Sequence, residues 1–592
     1  DLATSAISAT AISTTNMPVL AGTPTTGNNV RMRNLLSFLA GSLSQVTQFY
    51  YMQSPTKLDT FEDYKTFPQR VRDTHQNERS VFIKDDWKAL KSLTVNLGLR
   101  WDYYGVPYDG YGLMPLTIGG PSRIFGISGN SFAEWMKPGV RGEPTAIEFI
   151  GKKSPKSGTP WYPDDWNNFG PAFGFAWQVP WFGAGKTTVR GGYQLTYNAG
   201  QVANAITQEN VVPSSTNQAN YMGDSGANAY LDLTKVASLI PVPNIIRPMQ
   251  PIPLSDRTQQ VYNPQPGLVN PYAQNLTLSV TRSVTSKLTV DLRYIGTLGR
   301  KQWNAAFQIN QPNFLFNGLK EAFDAARAGD DDNPRLQVLE NMLRGINIGG
   351  GNFGPVGSTF NGVRQTAGMH LRASTGTAAG VTGNIQSNLA NGNYANLAAI
   401  LNLVNYSNAF NPSLPVIPAG VNGGVLRFNG FPENFIVTNP QFSNVYMIAS
   451  VNHNNYHSME AQITLRPARG ISMQSTYTWS KNLGLFGQVG STYTNAVDRH
   501  ADYAVLGDTR IHDFRTNGTF ELPVGPGKGF LRNSTGALAR ILENWQLGWI
   551  FNANSGAPVS IAAQNMLYAN GSADIVGPFD RNSKVEWNGS SG

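Results

Sequence analysis

Apolar and polar residues alternate with a period of two along much of this chain. That periodicity is the signature of strands with one buried or apolar face. The clearest run spans 93–103. Leu93, Val95, Leu97, Leu99, Trp101 and Tyr103 share one face, and Thr94, Asn96, Gly98, Arg100 and Asp102 share the other. A hairpin is predicted over 456–481. On its first arm Met459, Ala461, Ile463 and Leu465 oppose Glu460, Gln462, Thr464 and Arg466. After a break at Pro467, Ala468, Arg469 and Gly470, Ile471, Met473, Tyr477 and Trp479 alternate with Ser472, Gln474, Thr476, Thr478 and Ser480. Arms of about ten residues exceed the usual five or six. They have the length of a tilted strand that crosses a bilayer in a barrel. Alone, the hairpin fits a soluble sandwich equally well.

The order of the arms separates the two readings. Arms are predicted at 80–87, 93–103, 168–177, 187–198, 274–283, 287–295, 456–466, 471–481, 513–522 and 545–555, about ten or eleven strands in all. In 168–177, Phe169, Phe173, Phe175 and Trp177 alternate with Gly170, Ala172, Gly174 and Ala176, large residues on one side and small on the other. Leu278, Val290 and Trp549 continue the apolar face on later arms. Links at 88–92, 183–186, 285–286 and 467–470 are short, and 523–544 carries a short helix over 537–543. The links at 105–167, 199–273, 296–455 and 482–512 are long. An up-and-down barrel places all short turns on one rim and all long loops on the other, as outer-membrane barrels do. A sandwich has no reason for that segregation.

The fold class is therefore all-β: an antiparallel transmembrane barrel of the outer-membrane type, with long extracellular loops that carry short helices. Residues 1–79 form the start of the region, with a loop at 1–27 and a helix over 31–40 capped by Asn29. Residues 80–592 form the barrel hairpins. Within 296–455, Leu319, Phe323 and Ala326 have helical spacing. So do Leu336, Leu339 and Leu343 after Asn333-Pro334, and Leu397, Ile400, Leu401 and Val404 after Asn393. These helices are expected to pack on the barrel mouth. Leu97, Leu99, Trp101, Phe173, Phe175, Leu278, Val290, Ile463, Tyr477, Trp479 and Trp549 are expected to face lipid. Arg100, Arg190, Arg293 and Glu460 are expected to face the lumen, as structural charges or as ligand contacts.

Composition agrees. Only 14% of residues are charged, 11% are aromatic, and no apolar run reaches the length of a membrane-spanning helix. The absence of cysteine excludes disulfides, thiolate metal sites and thiol catalysis. The net charge of +8 is scattered, without a nucleic-acid-binding motif. No export signal opens the sequence, so any such signal is expected outside it or removed.

Chemistry is sparse. His453 and His457 are four apart in a β region rather than on a helix, so they read as ordinary strand residues and not as a zinc pair. Asp330, Asp331, Asp332 and Asn333 lack the glycine and glutamate of a calcium loop. They read as a solvated helix–helix turn, with a surface calcium site as the alternative. Gly183 to Lys186 lacks full phosphate-loop spacing and reads as a hairpin turn. No catalytic constellation emerges, so an enzyme is not expected, nor is a cofactor.

Several segments, in order, resemble one family. They include KDDWKALKSLTVNLGLRWDYYGVPY, NNFGPAFGFAW with GKTTVRGGYQLTYN, and NPYAQNLTLSVTRSVTSKLTVDLRYIGTLGRK. They also include YHSMEAQITLRPARGISMQSTYTWSKN and NWQLGWIFNANSGAPVSI. From about residue 34 onward the chain is similar to the barrel of Oar-like TonB-dependent receptors, acidobacterial outer-membrane proteins often carrying a carboxypeptidase-regulatory-like N-terminal domain. The resemblance implies a plugged barrel of about 22 strands that imports a bulky nutrient. It implies lipid and lipopolysaccharide contacts, and coupling to the TonB complex where a plug and an N-terminal box exist. Neither plug nor box is recognisable here, nor is a terminal aromatic strand, so the chain is expected to be the middle of such a receptor. The alternative function is a surface structural or adhesion barrel that binds a protein partner without transport.

Overall fold

The computed structural model describes residues 45–52, 54–58, 73–181, 183–198, 216–222, 252–404, 423–468, 470–485 and 497–558, with residues 35 and 493. The loop expected over 1–27, nearly all of the helix over 31–40, and much of 199–273 lie outside them.

Ten antiparallel strands follow chain order: β1 (Glu78–Leu90), β2 (Leu93–Tyr104), β3 (Phe169–Gln178), β4 (Thr187–Tyr197), β5 (Tyr272–Ser283), β6 (Leu288–Gln308), β7 (Asn444–Ala468), β8 (Ile471–Leu485), β9 (His512–Glu521) and β10 (Gln546–Asn554). Each pairs with its sequence neighbours, the meander that alternating turns and loops dictate. Gln260–Pro264 adds a parallel strand beside the start of β7, and Tyr503–Val505 pairs with the end of β8. Among the described residues, β1 and β10 each pair with one strand.

Register carries the apolar face from strand to strand through β2 to β9, with Trp87 joining it from β1. Val95 sits opposite Trp87 and Phe175, and Leu278 opposite Gly191 and Tyr294. Tyr294 meets Met459, and Met459 meets Trp479. A one-residue slip anywhere would turn a strand's apolar set to the other side. These side chains are not covered by protein. Leu278 is 48% exposed, Phe173 46% and Trp479 57%.

The turns follow local chemistry. Gly183 and Gly185 hold φ of 97° and 71°, and the Lys186 N–H donates to Gly183 O at 3.2 Å. Positive φ at both positions suits glycine, which has no Cβ to clash. Leu288 O accepts from the N–H groups of Val284 and Thr285. The small residues of β3 answer a close approach: a Cβ on Gly170 would stand 2.6 Å from Leu195 O. The connection between β9 and β10 departs from the short-turn pattern. It runs through helix Gly536–Leu542, which buries none of its side chains.

The expected loops at 296–455 and 482–512 need correction. β6 continues to Gln308, β7 starts at Asn444 and β8 ends at Leu485. The polar residues there break the apolar alternation, so the sequence reads as loop. Their amides hold the ladder instead. Gln302 Nε2 donates to Asn454 Oδ1 at 2.9 Å, and Asn454 Nδ2 to Asn482 Oδ1 at 3.1 Å. Register shifts after Gly299, Gln302 and Asn304 absorb the irregular pattern.

The protein's dry core lies beyond the sheet, in a cap built from the long connections. Among the described residues, six α-helices occupy 309–443: α1 (Leu319–Ala328), α2 (Gln337–Leu343), α3 (Ala367–Ala373), α4 (Ile385–Ala390), α5 (Tyr394–Leu403) and α6 (Gly424–Phe428). Leu319, Phe323, Ala326, Leu336, Leu339, Leu343, Leu397, Ile400 and Leu401 are all buried in one cluster, and Val404 packs on its edge. Asn333 Oδ1 accepts from the Arg335 N–H at 3.0 Å, capping a 3-10 turn that leads into α2. A second cluster joins Phe307, Val445 and Met447 of the extended strands to Ile124, Phe125, Trp135 and Val261. The upper ends of β6 and β7 are thus the cap's inner wall.

His370 on α3 is fully buried in this cap. Its Nδ1 accepts from the Gly349 N–H at 3.2 Å, and its Nε2 makes no hydrogen bond within ordinary distance among the described residues. Burial pushes its pKa down to about 4. The folded state then binds fewer protons than the unfolded one. Cap stability is complete above pH 6.5 and falls by about 3 kcal/mol as pH drops toward 4. Hydrogen exchange in α3 should accelerate over that window, and a His370→Phe variant should lose the pH dependence. Equal acceleration in that variant would refute the assignment.

Candidate functional site

The polar face of the sheet gathers its charges into rows. Arg190 pairs in register with Ser279, Ser279 with Arg293, Arg293 with Glu460, Glu460 with Thr478, and Thr478 with Asp513. Arg293 bridges two acids, Asp291 at 3.5 Å and Glu460 at 3.7 Å. Arg515 Nε lies 2.8 Å from Asp513 Oδ1. Against this end of the row opens a polar cavity of about 600 Å³, lined by Glu460, Asp513 and Arg515 of the wall and by Asp508 and Arg510. Both signs of charge face it, so it can hold a polar ligand through several weak contacts.

Of the four polar candidates, Arg190, Arg293 and Glu460 fall in one row. Arg100 shares their face but lies apart, opposite Phe82 and Gly170, and binds Asp102 at 2.6 Å. Asp291, Asp513 and Arg515 complete the cluster. Their parity matched that of Arg293 and Glu460, so alternation alone could have found them.

The opposite face holds Leu97, Leu99, Trp101, Phe173, Phe175, Leu278, Val290, Ile463, Tyr477, Trp479 and Trp549, placed there by register. Aromatics mark its two ends. At one end Trp166 stacks on Tyr103 at 4.1 Å, and the Trp101 indole N–H donates to Trp166 O at 2.8 Å. At the other, Trp177 meets Trp181 edge-on at 5.4 Å. Trp177 pairs with Leu93 and Phe169 with Trp101. The rise between those pairs is about 27 Å at roughly 3.4 Å per residue. A membrane barrel's apolar band is about 25 Å tall and flanked by aromatic girdles.

The other motifs find separate partners. The Tyr294 hydroxyl lies 2.7 Å from His457 Nδ1, while His453 stacks on Tyr503. Asp331 binds Arg372 at 2.6 Å and Asp332 lies 3.4 Å from Arg364, which makes 330–333 a cross-linked helix–helix turn. No cluster of three or more metal-ligating side chains occurs among the described residues.

A two-faced antiparallel meander with aromatic borders defines the class: a membrane β-barrel wall. A family model for the outer membrane beta barrel domain matches residues 8–590. The chain belongs to that family, and its place is the bacterial outer membrane. No curated protein matches the sequence. Among solved structures, the chain is similar to the alcaligin outer membrane receptor FauA of Bordetella pertussis at 7% identity and a TM-score of 0.27. That match covers 84% of this chain and 40% of the receptor. It is also similar to the ferripyoverdine receptor of Pseudomonas aeruginosa, at 8% identity and a TM-score of 0.27, covering 83% and 32%. The outer membrane transporter YddB of Escherichia coli matches at 7% identity and a TM-score of 0.28, covering 76% and 40%. The chain thus spans well under half the length of these proteins.

Proposed function

We propose that this chain is the barrel portion of an Oar-like TonB-dependent receptor that takes up a bulky nutrient. One observation carries the reading: a polar wall lined with Arg190, Arg293, Glu460, Asp513 and Arg515 runs along a sheet whose other face is apolar, and a folded cap stands at its long-loop end. In this reading the apolar face meets lipid, and the outer rim meets lipopolysaccharide. The polar face lines the lumen, and the cap faces the medium. Ligand would meet the cap first and the lumen charges second. The TonB complex would act through a plug and box elsewhere in the full receptor, without catalysis or a cofactor by this chain.

The native sequence has no cysteine, so single cysteines report cleanly. In intact cells a membrane-impermeant maleimide should label cysteines placed at 130 and 380. Protection of both would overturn the orientation. Uptake by the full receptor should stop when the proton-motive force is collapsed. Undiminished uptake in a deletion strain that has lost surface adhesion would favour the adhesion barrel instead.

A charge test of the lumen row follows. Glu460→Gln leaves Arg293 with Asp291 as its remaining acid at 3.5 Å. Both groups are partly exposed, so stability should change by less than about 1 kcal/mol. Nutrient affinity or uptake rate should change several-fold if the row contacts ligand. An unaltered uptake curve would make the row purely structural.

A further inference from the structure

Between the cap helices and the extended ends of β6 and β7 lies a cavity of about 820 Å³. It is separate from the polar cavity beside Glu460. Its walls are the segment 377–382 between α3 and α4, one side of α5, residues 308–312 and 443–446, and 257–260. The volume falls within the range of small-molecule sites, about 300–1,000 Å³.

Its chemistry is selective. Among the described residues, Arg257 is the one charged residue in the lining, and it is sealed. Its Nε donates to Leu254 O at 3.0 Å, its Nη1 to Asn402 O at 2.7 Å, and its Nη2 is held by Glu433. Among the described lining residues, an anionic ligand finds no free cation and a cationic ligand no carboxylate. What the cavity offers is neutral: the amides of Gln260, Gln311 and Asn396, the hydroxyls of Thr377 and Tyr446, and apolar patches such as Val437 and Leu403. The Gln260 amide and the Thr377 and Tyr446 hydroxyls make no hydrogen bond to another described residue. Tyr446 is braced by Tyr262, stacked at 4.5 Å and 25°. Register fixes that pair, since the two tyrosines are partners in the parallel ladder.

Amides and hydroxyls that both donate and accept, set beside apolar patches and a braced aromatic ring, match a sugar. Each sugar hydroxyl donates and accepts, while the ring's C–H faces are apolar. We propose that this cavity binds an uncharged oligosaccharide segment. The proposal names a ligand class for the receptor reading above and rests on it for biological meaning, although binding itself does not depend on transport.

The test uses the full chain purified in a detergent without a sugar headgroup. Saturation-transfer NMR and calorimetry would follow neutral hexasaccharides of glucose, xylose, mannose and galactose, with hexagalacturonate as the acidic comparison. At least one neutral oligomer should bind and the acidic one should not. Gln260→Ala and Asn396→Ala should each weaken binding several-fold, as loss of one hydrogen bond predicts, and the double variant more than tenfold. Far-UV circular dichroism should be unchanged in both. Gln260→Glu, which alters charge with little change of shape, should also weaken it. Failure of every neutral oligomer, equal binding of the acidic one, or variants that bind like the parent would each overturn the proposal. An uptake defect with intact sugar binding would instead count against the transport reading alone.

Discussion

Replacing Leu278 with arginine should cost about 2–4 kcal/mol of folding stability in lipid bilayers, the depth-dependent cost of a cation on the lipid face of a barrel. Leu278 lies midway along β5, between Gly191 and Tyr294 in register, and is 48% exposed. On a water-facing surface such a change falls within about 0.5 kcal/mol. The paired control is Gln194→Arg, at an exposed site on the polar face of β4, three ladder rows away. It should be nearly neutral. Urea titrations of both variants refolded into liposomes give the comparison. Equal small effects would mean that Leu278 does not face lipid. Equal large effects would mean that neither face is lined by water.

Glu433→Ala should cost about 3–5 kcal/mol of cap stability, the cost of leaving a buried charge without its counter-ion. The Arg257 side chain is fully buried and pairs with Glu433, which also binds Arg427. Burial pulls the Arg257 pKa down to about 10, Arg427 adds to that effect, and Glu433 opposes it. Arg257 therefore stays charged at neutral pH. Without Glu433, two guanidinium groups are left beside each other with one of them sealed from water. Hydrogen exchange should show α5 and α6 opening together, with β2 to β5 unaffected. Glu433→Gln keeps an acceptor and should be milder. A cap as protected in the alanine variant as in the parent would show that Asn402 and Leu254 suffice to hold Arg257.

The strands and their faces were legible in the sequence because a barrel wall has no protein core on its apolar side. Strands β2 to β9 follow one external rule, apolar on one face and polar or small on the other, whereas β1 sets Asp85 opposite Leu97 and Phe82 opposite Arg100. That rule is local and leaves a period of two in the chain. The same holds for the cap helices, whose 3.6-residue stripes at Leu319, Leu336 and Leu397 all turned inward. The upper halves of β6, β7 and β8 were illegible. There Gln302, Asn304, Asn452, Asn454 and Asn482 lie among protein groups, and cross-strand amide contacts together with bonds to the Tyr493 hydroxyl replace the apolar pattern. Composition resembles loop, and only the partner strand makes it a ladder.

The candidate sites divide in the same way. Arg190, Arg293 and Glu460 were readable as polar-face residues, but their convergence in one row needed the register of four strands. Arg257 gave no signal at all. It sits in a proline-rich connection, and what makes it a buried ion is Glu433 in another loop, 176 residues away. The cavity beside it is likewise a product of two long connections meeting. By itself, then, the sequence determined a two-faced strand meander with one rim of long loops, since solvent on each side of a wall acts on single residues. Tertiary structure alone decided which loops pack into which buried clusters, which residues those clusters seal, and which uncharged groups are left facing a cavity. Those outcomes depend on contacts between segments hundreds of residues apart, which no local pattern encodes.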